Sequence, residues 1–193
     1  MHIPGPNFMW SVDGYDKLRQ WGFYIHGAVD AYSRYIIWLE VGLLSWKYGS
    51  STSNQRIEAW WSHLRKYKSQ FWIELFTKIE VAGEWIYGNN IDYECLIYVF
   101  MPLLKVELFE FRQEWNKLND TQNYGFKVNY EEYKFIYNKY CSNNILNIYL
   151  SNKKIFELDF ITSKILEELG ETNINIINAR LIYNILKNIQ SCI

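Results

Sequence analysis

At 193 residues, with 49% hydrophobic and 21% charged side chains, the chain has the make-up of a folded globular protein and not of a disordered polar one. A formal charge of -1 and a pI near 6.3 exclude a global attraction to nucleic acid, so any such binding has to come from a local patch. Cys95, Cys141 and Cys192 are odd in number and widely spaced, which argues against a disulfide framework or a zinc site and for a reducing compartment.

In chain order, Phe8, Trp10 and Val12 alternate with Met9, Ser11 and Asp13, the period of a strand with two different faces and Asp13 at its end. Gly22 to Asp30 and Arg34 to Val41 keep the same period, and "DAYSR" between them fits a hairpin, so three antiparallel strands are expected. The loop "WKYGSSTSNQ" lacks the lysine and spacing of a phosphate-cradling loop and reads as a connector. Within it "TSNQ" matches a capping box, Thr52 as the cap and Gln55 three residues on.

The helix that follows carries Ile57, Trp60, Leu64, Tyr67 and Phe71 as a core stripe, with Asn54, Glu58, Trp61, Arg65 and Lys68 along a polar one. Phe71 to Trp85 reads as a second helix and Tyr93 to Trp115 as a long third, with a stripe of Phe100, Leu104, Leu108, Phe111 and Trp115 and a kink at Pro102. The longest apolar run, Cys95 to Leu104, is half a membrane span and no basic-then-apolar leader opens the sequence. The chain therefore reads as soluble and intracellular, the nucleus being one compartment open to it, with no membrane partner.

Composition changes near residue 118. All nine tryptophans and all three prolines lie at or before Trp115, whereas the tail is rich in Asn, Ile, Lys and Tyr. This divides the chain into 1–117 and 118–193, the tail being read as mostly helical because Ile174, Ile177, Leu181, Ile185 and Ile189 recur near helical spacing behind Thr172. His2, His26 and His63 are isolated, and Ser50, Ser51 and Ser53 sit where hydroxyls cap backbone groups, so neither set suggests a nucleophile.

Three ordered stretches, "WSVDGYDKL", "IHGAVDAYSR" and "STSNQRIEAWWSHLRK", together resemble the integrase core domain of transposon-derived proteins, related to retroviral integrases in the RNase H-like superfamily. The resemblance covers roughly residues 4 to 117. It implies that three acidic residues bind two divalent ions, Mg²⁺ by preference, which activate the attacking oxygen and stabilise the leaving one. By motif, Asp13 matches the first acid and Glu58 the third, while Asp30 matches a position that is not a ligand. The second acid should lie between the third strand and the Glu58 helix, yet no Asp or Glu occurs between Glu40 and Glu58.

The resemblance thus implies an α/β fold: a truncated RNase H-like integrase core of three antiparallel strands plus helices, with a mostly helical C-terminal tail. Loss of the fourth strand would leave residues 8 to 13 as an open apolar edge, and self-association is expected from it. The expected function is that of a degenerate integrase core, inactive in polynucleotidyl transfer, with Asp13 and Glu58 as remnant catalytic and metal ligands. Two alternatives stand beside it: a recruited protein-interaction module, and nonspecific DNA binding through Arg56, Arg65, Lys66 and Lys68.

Overall fold

A computed structural model of the protein describes residues 3–43, 55–120 and 150–192. Packing divides the chain into two compact units, Met1–Trp72 with Lys105–Asn143, and Ile73–Leu104 with Asn144–Ile193. The division by packing and the change of composition near residue 118 fall at different places, because single helices supply segments to both units. The architecture is mixed α/β, and among the described residues no helix is long and apolar enough to cross a membrane.

The first unit is built on a three-stranded antiparallel sheet in the order β1-β2-β3, with β1 at Trp10–Tyr15, β2 at Tyr24–Asp30 and β3 at Ile36–Gly42. A 3₁₀ turn at Asp16–Trp21 joins the first two and buries Leu18 and Trp21. The three expected strands are present, but β1 continues past Asp13 to Tyr15, so Asp13 lies within the strand and not at its end. It pairs with Gly27, which pairs in turn with Leu39. Period-two alternation sends Ser11, Asp13 and Tyr15 to one face, and Trp10 and Val12 to the other, where they pack against buried Ala28, Ile37 and Trp38.

The β2–β3 hairpin is organised by one buried carboxylate. Asp30 accepts from Ser33 N–H at 2.7 Å, from Ser33 Oγ at 2.6 Å and from Asn7 N–H at 2.9 Å, and the tight turn is completed by Arg34 at φ 66°. Asp30 is therefore a hairpin residue with its oxygens in use.

Gln55–Val81 forms one uninterrupted helical run: α1 at Gln55–Leu64, a π-helical segment at Arg65–Ser69 and α2 at Gln70–Val81. The expected cap Thr52 lies outside the described residues. The π segment changes which residues face inward. Ile57, Trp60, Trp61 and Leu64 are buried, the next buried position is Ser69 five residues on, and Trp72, Phe76 and Ile79 continue from there. The expected stripe is corrected on two points: Tyr67 and Phe71 are exposed, because the wider π turn displaces the α-helical register. Trp61, placed by periodicity on the polar stripe, is buried.

α3 spans Asn90–Asp120 and runs on through Pro102. Phe100, Leu104, Leu108 and Phe111 are buried as expected. In the first unit its Asn116 is held against the start of β3. The side-chain amide accepts from Ile36 N–H at 2.8 Å and donates to Ile36 O at 3.0 Å, the pair of bonds a neighbouring strand would make.

In the second unit, α4 (Asn152–Leu169) begins at a Ser151 cap and ends at Gly170, whose φ of 69° suits a residue without Cβ. It packs with α5 (Ala179–Ser191). The loop after α2 is anchored by Glu84, whose carboxylate takes a two-pronged ion pair from Arg180 at 2.8 Å for each bond, while its backbone carbonyl accepts from Tyr183 and Lys187. The rings of Phe76, Phe100 and Tyr183 pack together in the same unit. The tail helix exists, but its buried face is Ala179, Ile182, Tyr183, Leu186 and Gln190, whereas Ile177, Leu181 and Ile189 are exposed. Its N-cap is Asn178 and not Thr172. The Tyr183 and Arg180 anchors at Glu84 fix this face.

Candidate functional site

Asp13 is presented on the β1 face that meets α1. Three residues after Glu58 on that helix, the side chain of Trp61 crosses to the sheet, and its indole N–H donates to Asp13 Oδ2 at 3.1 Å. The approach is possible because Gly27, paired with Asp13, has no side chain: a Cβ there would stand 3.0 Å from Trp61 Cη2. Tyr15, two residues along the same face, packs its ring 5.4 Å from that of Trp61 and shares a 2.7 Å hydrogen bond with Ser69 of the π segment. Burial pushes the Tyr15 hydroxyl above its ordinary value, with the Ser69 bond and the Arg65 charge pulling the other way.

Glu58 lies on α1 one turn before Trp61 and is exposed. The structure thus brings the helix that carries Glu58 against the strand that carries Asp13, with an indole seated on the Asp13 carboxylate. The implied pair of divalent ions does not fit this arrangement. Hard cations need several oxygen ligands, whereas an N–H donor already engages one Asp13 oxygen, and among the described residues no three His, Cys, Asp or Glu side chains come together to hold a metal.

The four cations named from the sequence have different neighbours. Arg65 Nε donates to Gln70 Oε1 at 3.2 Å, Lys66 lies over the Tyr67 ring at 5.3 Å, and Lys68 sits 3.9 Å from Glu107. Arg56 instead lines a pocket of about 280 Å³ with Val29, Arg34, Ala59, Trp60, His63 and Trp115. Two tail carboxylates that could complete an acid set are engaged in the second unit: Asp159 accepts from Tyr98 at 2.6 Å, and Glu157 from Gln190 at 2.7 Å. Burial pushes the Cys95 thiol up to about 12, which leaves it a packing residue and not a nucleophile at neutral pH.

Periodicity missed Trp61 because it treats every position on a helix as if the neighbouring surface were featureless. The signal that could have found it was Gly27, a glycine inside a strand pattern, which marks a place where something approaches the backbone closely.

Residues 1–44 and 43–124 match the family model described as an integrase core domain. No curated protein and no solved structure matches the chain.

Proposed function

The chain belongs to the integrase core domain family, and from that premise we propose that it is an internally shortened, transposon-derived core of RNase H-like ancestry that no longer cuts or joins DNA strands. One observation carries the reading. The two matched segments meet at residues 43–44, inside the stretch from Glu40 to Glu58 that contains no acid and where the resemblance puts the second ligand. The engagement of Asp13 by Trp61 supports it, since a carboxylate held by an indole is poorly disposed to share a metal. Two-metal displacement depends on the ions for both charge neutralisation and in-line geometry, so loss of one ligand lowers the rate by orders of magnitude.

The test supplies labelled DNA ends with Mg²⁺ or Mn²⁺ to the full chain, to Asp13→Asn and to Glu58→Gln. All three are expected to be equally silent in cleavage and strand transfer. Activity in the parent that both substitutions abolish overturns the proposal.

A second reading, a recruited interaction module, is favoured by one feature: among the described residues no strand pairs the outer edge of β1. Nonspecific DNA binding through Arg56, Arg65, Lys66 and Lys68 is separated from it by salt, because phosphate contacts weaken steeply as ionic strength rises and strand pairing does not.

A further inference from the structure

The pocket beside α1 joins positive charge to aromatic surface. Arg56, Ala59, Trp60 and His63 follow one another at helical spacing and form one wall. Arg34 enters from the β2–β3 hairpin, and Trp115 from α3 closes the side. The Trp115 indole N–H donates to Arg34 O at 3.0 Å, so the hairpin backbone at Arg34 and the indole wall are fixed to each other. His63 packs 5.3 Å from Trp115, and Trp60 meets the same indole edge-on at 6.1 Å. Trp60, in the wall that backs the pocket, is 4% exposed, and its indole N–H has no acceptor among the described residues.

Among the described residues no carboxylate lines the pocket, and neither the Arg34 nor the Arg56 guanidinium has an acidic partner. Two permanently charged forks at one mouth favour an anion with several oxygens on one centre, for which guanidinium geometry is matched. The partly exposed Trp115 ring offers a flat apolar surface next to them. At about 280 Å³ the pocket lies just below the usual size of ligand sites, about 300–1,000 Å³, so only a small ligand suits it.

We propose that this pocket binds a small organic phosphate carrying a planar aromatic ring, a mononucleotide in chemical class, with the phosphate on Arg34 and Arg56 and the ring against Trp115. Neither Asp13 nor Glu58 is among the lining residues named, and the proposal does not rest on the reading of those two.

The experiment titrates the full chain with a nucleoside 5′-monophosphate, the corresponding nucleoside, inorganic phosphate and a short single-stranded oligonucleotide, followed calorimetrically and by tryptophan fluorescence. The monophosphate is expected to bind saturably below about 1 mM, and both the nucleoside and inorganic phosphate at least tenfold more weakly. Arg34→Gln and Arg56→Gln, each checked for an unchanged circular dichroism spectrum, are expected to weaken the monophosphate at least tenfold. The Lys164→Gln control, on α4 of the second unit, is expected to leave affinity unchanged. Absence of binding at millimolar monophosphate, equal affinity for the nucleoside, or indifference to both arginine substitutions overturns the proposal. An oligonucleotide that binds a hundredfold more tightly than the monophosphate also overturns it, in favour of a strand-binding surface.

Discussion

Trp61 reaches Asp13 only because the residue paired with Asp13 on the neighbouring strand is glycine. A methyl group at Gly27 meets an aromatic carbon at 3.0 Å, with Leu39 and the Trp38 carbonyl each at 3.4 Å, so the ring has to move or the strands have to part. Gly27→Ala is expected to cost about 1–3 kcal/mol in urea unfolding, the usual range for overpacking. Placed in a Trp61→Phe background the same change should cost less, and additivity of the two would show that the indole does not sit where described. Trp61→Phe alone removes the donor to Asp13 and is expected to cost about 1 kcal/mol.

At the level of elements, Asn116 does for β3 what a strand would do, and Asn116→Ala is expected to cost about 1–3 kcal/mol by removing two buried hydrogen bonds to Ile36. Asn116→Asp keeps the acceptor but sets an ionised carboxyl beside the Ile36 carbonyl at neutral pH, so its cost should shrink as pH falls and the carboxyl gains a proton to donate. The strands were legible because their two-residue period and the "DAYSR" turn are local signals, and Asp30 with Ser33 makes that turn. The π segment was not legible, since "RKYKS" contains no glycine or proline and the extra residue in the turn is imposed by what its ends pack against. The face of α5 was ambiguous for a related reason: its apolar arc is wider than the surface it buries, and the anchors at Glu84 decide which of those residues go inside. For the site, motif order brought out Asp13 and Glu58, but Trp61's place on the carboxylate depends on a cross-strand pairing no local pattern records.

Across the whole molecule, two carboxyls set opposite slopes of stability with pH. Burial raises Glu40 above its ordinary 4.5, with Lys105 and Arg112 pulling it back. The folded chain therefore holds that proton more tightly than the unfolded one, and stability declines as pH rises from 4.5 through the raised value. Glu40→Gln should gain on the parent in melting temperature as pH rises from 4.5 towards neutrality, and a constant difference would contradict the assignment. Glu84 is lowered, chiefly by its hydrogen bond from Arg180, so its contribution is present above 4.5 and is lost as pH falls through the depressed value. Arg180→Met is accordingly expected to be most harmful near neutrality and to approach the parent in acid.

The Asn116 amide also gives the sheet a direction of growth. Among the described residues Asn116 closes the start of β3 at Ile36 and no strand pairs the outer edge of β1, so a further chain is expected to add at β1. An edge that pairs with its own copy makes an isologous contact, and such a contact uses up the very surface that would recruit a third molecule. Sedimentation at rising concentration should therefore reveal a monomer–dimer equilibrium that stops at two, with a continuous two-fold sheet at its centre; growth into longer polymers would mean that a chain also adds along β3.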